Sequence, residues 1–287
     1  MPFLETPHAR FHYETAGSGR TVAMLLHGNF ATARWWLPVL ERPPRGFTIV
    51  TPTLRGFGAS TGARVTSIDA HAEDIRMLAR SLGLRRFHLV GHSLGGAVAL
   101  QYALSWPETL RGLGLVAPAP GEAPPDLVAV PRAAVAIGMH WSRFLGTYRP
   151  TIANALARMM PGADPATIDF SALLADATAI DDRVLLDVYE ALRRWDVRAR
   201  LPSLGVRVRI LAGRRDTLIP VAALEALART LPRGELDVWD DVGHSPQLER
   251  PAEFVGWLER ARPRRFAWLR AMWRRLRAWF SGRSRPR

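Results

Sequence analysis

The chain has 287 residues, 48% of them hydrophobic, and no cysteine. That length supports a large core, and the missing thiols exclude disulfides, thiolate metal sites and a cysteine nucleophile. The formal charge of +13 comes from 39 basic residues, all arginine, and 11 of these lie between Arg260 and Arg287, where no acidic residue stands.

Residues 1–259 therefore hold 28 arginines against 26 acidic residues and form a nearly neutral body. The high pI belongs to the tail, so the whole protein does not read as a nucleic-acid binder. Residues 1–9 have neither a basic n-region nor an apolar core, and no signal peptide is expected there. No run of about 18 apolar residues predicts a membrane-spanning helix. The absence of cysteine fits a reducing compartment, and a cytoplasmic protein is expected.

In chain order, Arg10 to Ala16 alternates polar and apolar and meets Gly17-Ser18-Gly19, which predicts an opening hairpin. Thr21 to Leu26 is a continuous apolar run, the pattern of a buried strand, and ends in His27-Gly28-Asn29-Phe30. Ala31 to Leu40 reads as helix and stops at Pro43-Pro44. Phe47 to Thr51 is a second buried strand, followed by the loop Arg55-Gly56-Phe57-Gly58-Ala59-Ser60. Ser67 can cap a helix from Ile68 to Leu82 that Gly83 ends. Phe87 to His92 is apolar and β-prone, Ser93 follows, and helix formers run from Ala97 to Ala103. Leu113 to Ala117 is the next strand.

Buried strands alternating with helices predict crossover units and a parallel sheet. Pro118 to Pro125 breaks that rhythm. Helical pattern then holds over 127–145, 152–160 and 184–194. Strands return at 206–212 and 235–239, with a helix over 222–231 between them and a final helix from Pro251. The expected organisation is a core of 1–117 and 196–259, a helical lid of 118–195, and a basic tail of 260–287.

Gly91-His92-Ser93-Leu94-Gly95 places a serine at the apex of a strand–turn–helix. Such a turn strains the serine backbone and holds the hydroxyl clear of the sheet. The helix N-terminus behind it offers N–H groups to a developing oxyanion. A serine hydroxyl needs a base, usually His, and the base needs an orienting carboxylate. Reactive groups of parallel sheets gather at the carboxyl ends of strands. Asp216 follows the strand ending at 212, and His244 follows the last one. Asp240 and Asp241 share the loop of His244, where near neighbours rarely face each other. Glu122 is the nearest carboxylate after the strand ending at Ala117.

The chain order Ser, Asp, His on these loops resembles the α/β-hydrolase fold family. The resemblance covers most of residues 10–259. It rests on His27-Gly28, Arg55-Gly56-Phe57-Gly58-Ala59-Ser60, Gly91-His92-Ser93-Leu94-Gly95-Gly96, Ala212-Gly213-Arg214-Arg215-Asp216 and Gly243-His244, all in the family's order. It implies an α/β fold with a mostly parallel eight-stranded sheet, helices on both faces and a helical lid insertion. By position, Ser93 would be the nucleophile, His244 the base and Asp216 its partner. The backbone N–H groups of Asn29 and Leu94 would form the oxyanion hole. His92 and His27 read as structural. Relatives often carry Asp where Thr53 stands, which puts the bracing of that loop in question.

A serine at the apex argues against the dehalogenase and epoxide hydrolase branches, which use Asp there. Ser245 after the histidine weighs against carbon–carbon bond hydrolases, and Leu94 against iminopeptidases. Acyl transfer from a small-molecule acyl substrate to water remains, with no cofactor or metal implied. Carbon–carbon bond hydrolysis, perhydrolase chemistry and a non-catalytic small-molecule binding protein of the same fold stay as alternatives. Phe30, Trp36, Met139, Trp141 and Phe144 are candidate walls of the acyl pocket.

In the tail, Phe266, Trp268, Leu269, Met272, Trp273, Leu276, Trp279 and Phe280 fall on one half of a helical wheel, with Arg270, Arg274 and Arg277 opposite. A basic amphipathic helix over 262–280 resembles an interfacial segment drawn to anionic lipid, at about 1 kcal/mol per arginine near the surface, with a helix packed on the body and a nucleic-acid tail as the alternatives. Removal of residues 260–287 is expected to abolish cosedimentation with anionic vesicles while leaving turnover of a soluble ester unchanged. Vesicle binding by the truncated chain would contradict this.

Overall fold

The structure is a computed structural model that describes residues 2–123 and 128–261. Its strands are β1 (Phe3–Glu5), β2 (Ala9–Ala16), β3 (Thr21–Leu26), β4 (Phe47–Pro52), β5 (Thr61–Gly62), β6 (Phe87–His92), β7 (Leu110–Val116), β8 (Val208–Gly213) and β9 (Gly234–Trp239). Eight of them form one path in the order β1-β2-β4-β3-β6-β7-β8-β9, and the two-residue β5 adds a ninth beside β2. From β4 to β9 along that path every pairing is parallel, while β1, β2 and β5 are antiparallel.

The hairpin expected at Gly17-Ser18-Gly19 does not form. β2 pairs with β1 before it and with β4 on its other side, and β3 lies beyond β4. The cause is burial. β3 ends in four fully buried residues and belongs inside the sheet, whereas β2 alternates and suits its margin. Gly17-Ser18-Gly19 instead crosses the end of β4, so tightly that a Cβ on Gly19 would come within 1.9 Å of Gly46.

Side-chain alternation sorts the two faces. Met24 and Leu26 of β3 join Leu89 of β6 and Ile210 of β8 in the larger core, and Ala23, Leu25, Val90 and Leu211 join the smaller one. The larger core is closed by α2 (Ile68–Ser81), α3 (Leu94–Ser105) and α8 (Val221–Thr230). The smaller is closed by α1 (Leu37–Glu41), with Trp36 just before it, and by α10 (Pro251–Glu259), which supplies Phe254 and Trp257. The Ser67 hydroxyl caps α2 by accepting from the Ala70 amide, and Gly83 ends it at φ 68°.

Between β7 and β8 the described residues include the helices α4 (Arg132–Phe144), α5 (Tyr148–Met159), α6 (Phe170–Thr178) and α7 (Asp182–Arg194). The neck is pinned by a bridge between Glu122 and Asp196 and by the Val197 amide on Gly121 O at 2.8 Å. Sequence pattern had not marked α6. Its nine residues follow the cap Asp169, whose carboxylate accepts from the Ala172 amide, and bury Leu173, Leu174 and Ala177. Between β9 and α10 lies one more turn of helix, α9 (Pro246–Glu249). Among the described residues no helix is long and apolar enough to cross a membrane. The amphipathic stretch 262–280 lies outside the described residues.

Arg55 reaches Asp74 of α2 at 2.9 Å, and both are buried. Removing one partner strands the other charge in the core, at a typical cost of about 3–5 kcal/mol. Asp74→Ala is therefore expected to lower stability by that order in urea unfolding. Arg55→Met combined with Asp74→Leu is expected to restore most of it, and a double variant no more stable than Asp74→Ala would contradict the assignment.

Candidate active site

The parallel register brings four loops to one end of the sheet. Leu26 pairs with Gly91, His92 with Val116, Val116 with Leu211, and Gly213 with Trp239. The chain therefore leaves β3, β6, β8 and β9 at neighbouring points, and on those exits stand Asn29, Ser93, Asp216 and His244.

Ser93 has φ 50° and ψ −114°, a conformation that L residues rarely adopt. Its neighbours enforce it. A Cβ on Gly91 would sit 2.0 Å from Gly95 O, and one on Gly95 would sit 2.5 Å from the carbonyls of Leu26 and His27. Helix and strand thus meet backbone to backbone. The Ser93 amide is held by Val116 O at 3.0 Å, and its side chain stays half-buried at the apex. Leu94 opens α3, where its amide has no acceptor within its own helix.

His244 Nδ1 lies 2.7 Å from Asp216 Oδ2, and both side chains are 1% exposed. The other carboxylate oxygen, Oδ1, accepts from the amides of Leu218 (2.8 Å) and Ile219 (3.0 Å). Both oxygens are therefore engaged, and Nδ1 is the nitrogen that carries the proton toward Asp216. His244 Nε2 is buried with no hydrogen-bond partner among the described residues. Asp240 pairs with Arg214 and Asp241 with Arg250, while Glu122 meets Arg198 at 2.8 Å. None of these three carboxylates pairs with a histidine.

The other histidines brace. His27 Nδ1 donates to Gly28 O at 2.8 Å, which leaves Nε2 to accept from the Leu54 amide at 2.9 Å. Burial pushes its pKa down to about 4. His92 Nε2 donates to His244 O at 2.8 Å, and its ring stacks on Trp35 at 5.6 Å. Burial, with His244 beside it, holds His92 well below the usual imidazole range. Thr53 Oγ1 accepts from the Ala33 amide at 3.2 Å and lies 3.3 Å from His12 Nδ1, so a hydroxyl braces the loop at this position.

The profile of the alpha/beta hydrolase fold matches residues 23–251, a span that includes all four of these loops. The chain belongs to the alpha/beta hydrolase fold family. An uncharacterized protein of Mycobacterium tuberculosis is 28% identical over 264 residues, covering 86% of this chain and 76% of that protein. A thermophilic esterase from Thermogutta terrifontis is 26% identical with a TM-score of 0.73, covering 91% of this chain and 97% of the esterase. The enol-lactonase from Burkholderia xenovorans, at 20% identity and a TM-score of 0.77, shares the fold over 91% of this chain and 99% of its own. Together the fold and the esterase neighbour support a hydrolase.

Around this hydrolase site the expected pocket walls need correction. Trp36 is fully buried against Phe254, 5.8 Å between rings, in the core on the far face of the sheet. Its neighbour Trp35 faces the site and packs with Tyr148, Ile152 and Leu156 of α5. The sequence signal for both was the same, and a one-residue step around the turn decides between them. Trp141 and Phe144 are 53% and 73% exposed and touch each other edge to face, so they line no closed pocket. Phe30, at φ 57°, and Met139 are half-buried against the core. Glu249, which pattern had not singled out, is buried under the His244 loop and accepts from the Gly243 and Ser245 amides. Among the described residues no group of His, Asp and Glu is arranged to hold a metal ion.

The buried imidazoles set an acid limit. Burial pushes His27 and His88 down to about 4 and His71 to about 3. Each stays neutral in the fold while the unfolded chain binds protons below pH 6.5. Their contribution is complete above pH 6.5 and is lost as pH falls toward 4, at about 1.4 kcal/mol per ring per pH unit. Urea midpoints are expected to drop steeply from pH 6.5 to 5. His71→Met removes a ring with both nitrogens unpartnered and is expected to flatten that slope. Equal slopes in the two proteins would contradict this.

Proposed function

We propose that the chain is a serine hydrolase that cleaves a carboxylic ester or related acyl bond of a small molecule through an acyl-enzyme. One observation carries the reading: His244 Nδ1 is committed to Asp216 at 2.7 Å, while its Nε2 has no partner in a site whose turn presents Ser93. Other buried histidines, His71 and His92 among them, also leave a ring nitrogen without a partner, and what sets His244 apart is the buried carboxylate on its other nitrogen.

In this reading His244 Nε2 takes the Ser93 hydroxyl proton as Oγ attacks the acyl carbon. Asp216 holds the tautomer and stabilises the imidazolium. The tetrahedral oxyanion is met by the amides of Leu94 and Asn29, each such donor being worth about 2.7–4 kcal/mol. His244 then returns the proton to the leaving alcohol oxygen, leaving Ser93 acylated. Water, deprotonated by the same nitrogen, releases the acid. Gly28 makes room for this assembly, since a Cβ there would lie 2.9 Å from His92 Nδ1 and 3.1 Å from Ser93 Cβ.

The helices α4 to α7 serve as the lid in this proposal, with Phe30 and Met139 as acyl-pocket walls. The Thermogutta terrifontis esterase supports an ester as the substrate class. A fluorophosphonate probe is expected to label the wild-type protein and not Ser93→Ala. Ser93→Ala and His244→Ala are each expected to lower kcat on a p-nitrophenyl ester by roughly 10⁴-fold or more. Folded wild-type protein that resists the probe would overturn the enzyme reading in favour of a binding protein.

A further inference from the structure

The His244 loop is held through its backbone from three directions. The His244 amide donates to Met159 O at the end of α5, 2.8 Å away. Its carbonyl accepts from His92 Nε2. The flanking amides go to Glu249, where Oε1 takes Gly243 N at 2.9 Å and Ser245 N at 3.1 Å. Oε2 also lies 2.9 Å from Gly243 N and takes Gly162 N, beyond α5, at 2.8 Å.

Glu249 is 3% exposed, so its charge is bought at a desolvation cost. Three N–H groups from two chain segments converge on it, and only an ionised carboxylate offers two oxygens with no donor. A glutamine of the same shape would turn an N–H toward one of these amides. Arg250 completes the grip, donating to Gly162 O at 2.8 Å while it pairs with Asp241.

We propose that Glu249 is a positioning residue, fixing the backbone that carries His244 and tying it to the α5–α6 connection of the helical insertion. The proposal rests on His244 acting as the base. It makes the aim of the base depend on the insertion, because the same carboxylate binds Gly243, Ser245 and Gly162. The titratable groups facing this assembly are Asp216 and His92 against His244, and Asp241 and Arg250 beside Glu249.

Two measurements on the full chain test it. The first is steady-state turnover of a p-nitrophenyl ester, with the rate of fluorophosphonate labelling. Glu249→Gln is expected to lower kcat and labelling by about 10–100-fold with KM little changed, the effect of misplacing a catalytic group by about 1 Å. Glu249→Asp, which keeps both oxygens, is expected to recover part of that loss. The second is the downfield proton resonance of the His244–Asp216 hydrogen bond, which needs no turnover. It is expected to shift or broaden in Glu249→Gln and to persist in Ser93→Ala.

Should Glu249→Gln fail to fold, Gly162→Ala replaces it, since its methyl would lie 3.0 Å from Glu249 Oε2 and 2.7 Å from Asp241 O. The same kcat loss and resonance change are expected. Wild-type kcat and an unmoved resonance in a folded variant would overturn the proposal. A wild-type protein that the probe does not label, with the resonance still sensitive to residue 249, would overturn the serine mechanism and leave the positioning role standing.

Discussion

The first turn of α3 lies directly on β6 and on the end of β3, with no side chain between them. Gly91 and Gly95 make that contact possible, and Gly96 extends it to Pro118, whose Cβ would be 2.6 Å from an added methyl. Everything at the site follows from the contact. It leaves Ser93 no ordinary backbone conformation, and it points the first free amides of a buried helix at the space above the strand ends. The strain is local, and the core on both faces of the sheet offsets it.

Around that turn the site is assembled from loops that owe their proximity to register alone. Asp216 and His244 sit 28 residues apart in sequence, on the exits of two adjacent parallel strands. Neutral imidazoles knit the loops together. His92 reaches from the serine turn to the His244 carbonyl, and His27 joins the β3 exit to the loop after β4. Each spends a buried N–H on a carbonyl of another loop or of its own. Neutral rings of this kind share the bracing of the His244 loop with the carboxylates of Asp216 and Glu249.

Most of the sheet was legible because its central strands are short apolar runs closed by glycine or by helix caps. The serine turn, Asp216 and His244 were legible for the same reason, since strand ends mark where such loops must be. What escaped has a common cause. α6 begins and ends without a periodic pattern, and its stability comes from packing Leu173, Leu174 and Ala177 into the cluster that holds Trp35, Tyr148 and Ile152. The place of β2 depends on β4, which comes later in the chain. Trp35 and Trp36 differ by one step around a 3-10 turn, and composition cannot say which ring turns toward the site. Glu249 acts through long-range contacts with Gly162, 87 residues away, that no local spacing announces.

The positive φ of Ser93 also bears on how such a protein diversifies. At φ 50° and ψ −114° the backbone strains an L side chain whatever its terminal group. The turn therefore imposes little conformational preference between a hydroxyl and a carboxylate at its apex. Branches of the fold that attack with an oxygen of either kind can share one unaltered frame, and passage between them is gated by whether the surrounding loops can handle the new covalent intermediate.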